Sequence, residues 1–395
     1  MGKTLCSRMD RFMAKVLLVD TNFASAPIFS VLRRLGHDVH VIGSNPNDCL
    51  AKSAKSFWNI DYSDTEALSD LVEKESFEYL VPGCTDRSYK SCSIISQGSF
   101  PGIETSDIEQ EIHNKERFRS TAVKLNLPIP KTQSATCKNL DYPIIIKPVD
   151  SYSGKGITIL KRPNQQRFEA ALELAKNTSA TNEYIIEKFI EGGLYSHNAF
   201  LKNQKTIKNF FVKEDSTANS FVVDTSRVIF NPPSEMQRQI IHAVEKLAQH
   251  LKLRDGLLHS QFIWDGNNIY LIDRKRAIAG DLYSRLIELS TGYPFVENYV
   301  RPFLGMPYEV AVSEESNIPI MRHTVSVSNG QNFGHISYKK DLFLENWVAL
   351  SSVGDQLKPS PDSRVGILFA KAKSQTDLIS LYEATIRREL YEVIE

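Results

Sequence analysis

Short apolar runs alternate with amphipathic stretches along the first hundred residues. AKVLLVD (14–20) is an apolar run ending in an acid, and FSVLRRLG follows it with helical spacing. HDVHVIG then reads as a second strand, TEALSDLVEKE as a helix, and FEYLVPGC (77–84) as another strand. Strand, helix and strand in this succession predict a parallel sheet with crossover helices, a Rossmann-like half-domain over 14–112. Its first turn lacks GxGxxG, so a dinucleotide is not indicated. Ligand-facing positions in such a sheet are the strand C-terminal ends, here Asp20 and Thr21 or Gly83 to Asp86.

Residues 101–114 are polar and marked by Pro and Gly, which predicts a boundary. NKERFRSTAVKLNL (114–127) reads as a helix with Phe118, Ala122 and Leu125 on one side, and LPIPKT as a proline-stiffened connector. From residue 142 strands dominate: YPIIIK, GITIL, EYIIEKFI, HNAFL, FFVKE and SFVVDTS. A helix is predicted over 234–253, then the strands LLHSQFIWDG and NNIYLID joined by an Asp-Gly-Asn-Asn turn. Residues 311–395 read as a small C-terminal α/β subdomain, with ISYKK, RVGILFAKA and the helical DLISLYEATIRREL.

Composition adds exclusions. Lys+Arg and Asp+Glu both number 47, so a net charge of zero argues against duplex nucleic acid or an anionic membrane as a bulk partner. Any anion must be held locally. The five scattered cysteines include no CxxC pair, which fits a reducing, cytoplasmic setting rather than a disulfide scaffold or a Cys-based zinc site. No apolar run is long enough to span a membrane. MGKTLCSRMDRFM is expected to be a short leader (1–13); it begins like an acylation signal but has Cys6 where Ser or Thr is expected.

The candidate chemistry starts at PIIIKPVDSYSGKGITIL (143–160). A lysine at the end of a buried strand needs a partner, so the Lys147 ammonium should emerge where an anion can meet it. The DSYSGKG loop adds small residues and Lys155, and backbone N–H groups in such a loop can face phosphate oxygens. It is not a P-loop, because Val149 and Ile157 break GxxxxGK[ST]. In EYIIEKFIEG, the Glu187 carboxylate or the backbone of the hinge can meet an adenine amino group, with Phe189 and Ile190 as apolar walls. Gln261 and Asp273 lie on two strands of one hairpin and can offer oxygens to Mg²⁺. Arg274, Lys275 and Arg276 crowd after Asp273 and suggest an anion site.

In order, NKERFRSTAVKLNLPIPKT, PIIIKPVDSYSGKG, IIEKFIEG and QFIWDGNNIYLIDRKRAIAGDLYSRLIELSTG resemble the ATP-grasp superfamily across residues 113–300, and in particular carboxylate–amine ligases. The resemblance implies an α/β and α+β fold: a pre-ATP-grasp domain (14–112), a two-lobed ATP-grasp domain (113–310, lobes 113–185 and 186–310) and the C-terminal subdomain (311–395). It assigns Lys115 and Lys147 to the ATP phosphates and Ser153, Gly154, Lys155 and Gly156 to a lid loop. Glu187, Lys188, Phe189 and Ile190 fall to adenine, and Gln261 and Asp273 to Mg²⁺ or Mn²⁺. Arg276, Lys155 and Arg274 are the catalytic cations, with Arg276 facing an acyl phosphate or substrate carboxylate. His197 and Arg227 are candidates for the acceptor pocket.

Several positions depart from the family pattern. Asp273 replaces the usual Glu, Lys275 the usual Asn, Ala277 the usual Arg, and Leu194 the ribose-binding acid. The implied reaction joins a small-molecule carboxylate to an amine, on an amino acid or amino sugar, through an acyl phosphate. Two rivals are a bicarbonate-activating carboxylase and an ATP-binding module without turnover. The resemblance is compatible with a homodimer and gives no role to nucleic acid or membrane.

Overall fold

The computed structural model describes residues 13–137, 139–151, 154–308 and 316–395. The expected leader, apart from Met13, and the lid residue Ser153 lie outside these. Two compact units emerge. Among the described residues, one takes those within 13–106, 277–282 and 294–308, the other those within 107–276, 283–293 and 316–395.

The first unit is built on a four-stranded parallel sheet in the order Ser56–Asn59, Asp38–Gly43, Lys15–Val19, Tyr79–Pro82. Val16, Leu17, Leu18 and Val19 are fully buried, as a strand covered on both faces requires. The helix Thr65–Glu75 has the predicted limits, set by the Asp64 cap on the Ala67 N–H and a left-handed Ser76. Ser56–Asn59 and the helix Asp86–Ser96 were not read from the sequence. Polar residues at the strand ends serve turns and caps. Asp20 accepts from the Asn22 N–H and the Ser25 hydroxyl, Thr21 donates to Asp48, and Thr85 caps the Ser88 N–H.

The second unit contains two larger sheets. A small antiparallel sheet runs Thr132–Gln133, Tyr184–Lys188, Ile144–Pro148, Thr158–Leu160. The pleat sends Ile144, Ile146 and Ile186 into a core with Phe168, Ala171 and Ala175 of the helix Gln165–Thr178. That helix is absent from the strand-dominated reading of this region.

The main sheet has eight strands in the order Ile269–Lys275, Gly256–Trp264, Gly193–Lys202, Lys205–Asp215, Thr225–Val228, Ile320–Val325, Gly366–Lys371, Phe343–Ala349. Three strands of the expected C-terminal subdomain thus continue this same sheet. One face packs on the helices Lys115–Lys124 and Ser234–Leu251 through Phe118, Ala199, Phe211, Val244, Leu258 and Phe262. The helix Tyr283–Thr291 packs against the other face at Thr225–Val228 and Ile320–Val325.

Buried histidines make this fold acid-sensitive. Desolvation lowers His197 to about 4, against its hydrogen bond to Asn209, and lowers His323 to about 4, against the nearby Asp224. A histidine kept neutral in the folded state is protonated first in the unfolded chain, so stability must fall from pH 6.5 towards pH 4. Urea midpoints measured across that window are expected to drop steadily; a flat or rising curve contradicts the burial.

Candidate functional site

Lys147 owes its place to the pleat. Glu187 stands opposite Ile145 across the strand pair, and Lys147, two residues beyond Ile145, shares that face. Its ammonium lies 2.6 Å from the Glu187 carboxylate, and Arg119 pairs with the other oxygen. All three are at least nine-tenths buried. Desolvation opposes the ionisation of Glu187, but Lys147 and Arg119 together hold its pKa at about 2. Burial pushes Lys147 below the ordinary lysine range against Glu187, with Arg119 and Lys115 pushing the same way. Cations outnumber the single carboxylate, which favours an incoming phosphate.

Lys115 is the first residue of its helix because Asn114 caps it, accepting from the Glu116 and Arg117 N–H groups at 3.0 Å. From there its ammonium reaches the Val149 and Ser151 carbonyls at 3.3 and 3.5 Å, the start of the small-residue loop. Gly154 and Gly156 hold φ of +70° and +75°, and a Cβ on either would collide, with Phe221 or with Pro148 and Thr178. Lys155 is exposed, and its carbonyl accepts from the Ser151 hydroxyl.

The hairpin of Gln261 and Asp273 forms as its turn dictates: Asp265 accepts from the Asn267 and Asn268 N–H groups at 2.8 and 2.7 Å. Gln261 pairs directly with Asp273. Burial works against ionisation of Asp273, yet Lys115, Arg274, Lys275 and His113 outweigh it and pull its pKa down. Arg119 joins the lysine strand to the hairpin, pairing with Glu187 and donating to the Leu271 carbonyl at 3.1 Å, and the Lys115 charge acts on both Lys147 and Asp273. Among the described residues no three His, Cys, Asp or Glu side chains are grouped to hold a metal. One carboxylate and one amide oxygen fit a hard cation that completes its shell with water and nucleotide phosphates, as Mg²⁺ does.

The other candidates separate by strand alternation. Asp273 and Lys275 share one face, whereas Arg274 and Arg276 turn to the other. Arg274 is 1% exposed and stacks 3.3 Å from the Phe118 ring centre. Arg276 donates to the Arg254 and Asp255 carbonyls at 2.8 and 3.4 Å. Its guanidinium thus braces the entry to Gly256–Trp264. His197 is likewise a core residue, fully buried against Phe211 with Nε2 2.6 Å from Asn209. Arg227 lies half-buried over the Tyr382 ring, on the face opposite Gln261. Lys188 is tied to Asp141 at 2.7 Å and to the Tyr142 carbonyl. Phe189 and Ile190 follow the strand, half-buried, with the Phe189 N–H on the Pro143 carbonyl.

Glu214, Tyr283 and Arg322 were missed. Glu214 accepts from the Gln261 amide at 2.6 Å; Ser196 contacts the Tyr283 hydroxyl, and Asn198 donates to it. Arg322, 2% exposed, donates to Ser226 and Thr324 beside them. No local motif marks these residues, because three separate segments supply them.

Residues 140–284 match the family described as ATP-grasp domain. A curated relative, a formate-dependent phosphoribosylglycinamide formyltransferase from Histophilus somni, is 28% identical over 188 residues, 45% of this chain and 47% of that protein. The chain spans about half the length of the curated relatives it matches first. Among solved structures, L-amino acid ligase from Bacillus licheniformis superposes with a TM-score of 0.77 at 16% identity, covering 96% of this chain and 98% of that one. Phosphoribosylglycinamide synthetase from Anaerococcus prevotii gives 0.76 at 16% identity, covering 97% and 100%. At these identities the structures show a shared fold.

Proposed function

We propose that this chain, which carries an ATP-grasp domain over residues 140–284, is an ATP-dependent, ADP-forming ligase that joins a carboxylate to an amine. The observation that supports the proposal is the link through Arg119, which pairs with Glu187 beside Lys147 and donates to the Leu271 carbonyl of the hairpin that carries Asp273. In the reaction a substrate carboxylate oxygen attacks the γ-phosphorus of ATP, the bond to the β-phosphate oxygen breaks, and ADP leaves. The amine then attacks the acyl carbon, loses a proton and displaces inorganic phosphate.

Carboxylate and triphosphate repel one another, so the site must supply positive charge. Lys115 and Lys147 would hold the phosphates, and Lys155, Gly154 and Gly156 would cover them. Gln261 and Asp273 would hold Mg²⁺, which lowers the charge on the phosphate oxygens when bound. Lys275 and Arg322 lie on the Asp273 and Glu214 side of the main sheet, and we assign to them the cationic role expected of Arg274 and Arg276. Glu187, paired with Lys147 and Arg119, would act on the nucleotide indirectly, by fixing the Lys147 ammonium at the phosphates. Among the described residues, Cys49, Cys84, Cys92 and Cys137 form no disulfide, which supports a cytoplasmic setting.

ADP release measured with Mg²⁺ and ATP over a panel of carboxylic acids, amines and bicarbonate tests this reading. Release that needs both an acid and an amine is expected. Release driven by bicarbonate alone, or nucleotide binding without turnover under every pairing, overturns it.

A further inference from the structure

Gln261 is an ambiguous metal ligand, because only one end of its amide can face a cation. The carbonyl oxygen ligates; the NH₂ group, turned to the same side, repels. A side chain left free to flip would present the wrong end part of the time.

The structure removes that freedom. The Gln261 Nε2 donates to the Glu214 carboxylate at 2.6 Å, a short, charge-assisted distance. Glu214 lies on Lys205–Asp215, two strands from Gln261 in the main sheet, and on the same face. It is 2% exposed, with Ser196 and Tyr283 hydroxyls and the Arg322 guanidinium around it. The two hydroxyls hydrogen-bond to its carboxylate, and the Arg322 charge favours it. A carboxylate accepts and does not donate, so the amide must turn its NH₂ towards Glu214 and its Oε1 away. Among the described residues no hydrogen bond to the Gln261 Oε1 occurs.

We propose that Glu214 is a positioning residue that locks the Gln261 amide with its oxygen towards the cation, and so makes glutamine competent at a metal position. The inference rests on the metal assignment above. It also explains the residue type: a glutamate at 261 would set two carboxylates against each other in a buried place, whereas glutamine turns the contact into a hydrogen bond.

The test uses Mn²⁺ binding to the full chain with ADP, read by electron paramagnetic resonance, beside metal-free ADP affinity by calorimetry. Glu214→Leu is expected to weaken Mn²⁺ about tenfold, the range seen when an outer partner of a ligand is lost, and to leave metal-free ADP binding unchanged. Glu214→Gln keeps an acceptor oxygen of the same reach and is expected to stay within about threefold of the parent, on the same outer-partner scale. Gln261→Leu and the double variant Glu214→Leu/Gln261→Leu should lose Mn²⁺ affinity to the same extent, since the first residue acts only through the second.

Undiminished Mn²⁺ binding in folded Glu214→Leu overturns the inference alone. So does an equal loss in Glu214→Gln, or an additive double variant. Failure of the parent protein to bind Mn²⁺ with ADP overturns the metal site and, with it, this inference.

Discussion

Asp273→Asn is expected to reduce ATP turnover about a thousandfold, because losing a charge-stabilising group at a metal-assisted reaction removes several kcal/mol of transition-state stabilisation. Asp273 is the one carboxylate of the proposed metal pair, and asparagine keeps its size while deleting its charge. Lys115, Arg274, Lys275 and His113 all act on this carboxylate, so the variant leaves them without a common counter-charge. Metal dependence separates the two consequences. If Asp273 ligates, raising Mg²⁺ or substituting Mn²⁺ should recover part of the rate. A variant that turns over like the parent at low Mg²⁺ removes Asp273 from the site.

Lys147→Met is expected to weaken ATP binding at least a hundredfold and to destabilise the fold by about 3 kcal/mol, the low end for breaking a buried ion pair because Arg119 remains. Both effects follow from one contact, and a second substitution divides them. Adding Glu187→Gln to Lys147→Met removes the buried carboxylate that has lost a cation, so stability should partly return while ATP affinity should not. Recovery of both would make Lys147 a structural residue only. The pH dependence has a definite sign. Glu187 has its folded pKa depressed to about 2 from 4.5, so its contribution is complete above pH 4.5 and fades as pH falls towards 2. In Lys147→Met the acid-unfolding midpoint should therefore move to higher pH.

The alternation of strand residues is the most informative local signal in this sequence. It places Gln261 beside Asp273 and puts Ile144 and Ile146 into a core while leaving Lys147 outside it. The same rule separates Asp273 and Lys275 from Arg274 and Arg276, and it sorts His197 with Ala199 and Leu201 into the packed face. Read as a charge cluster, RKR suggests three cations at one site; read as a pleated strand, it divides them between two faces. The helices Asp86–Ser96 and Gln165–Thr178 escaped because serine-rich and mixed segments blur a 3.6-residue period, and the structure starts both with side-chain caps.

By itself the amino-acid order determined the local devices: the cap that puts Lys115 at a helix start, the strand that ends on Lys147, the glycine loop and the Asp265 turn. Each depends on neighbours a few residues apart, where backbone geometry leaves few choices. The tertiary structure alone decided who meets whom across the sheets. Arg119 reaches Glu187, Glu214 holds Gln261, and Arg322 arrives from a strand more than a hundred residues beyond Glu214. Such pairs are set by strand order and by the burial energy of whole faces, which no short stretch of sequence encodes.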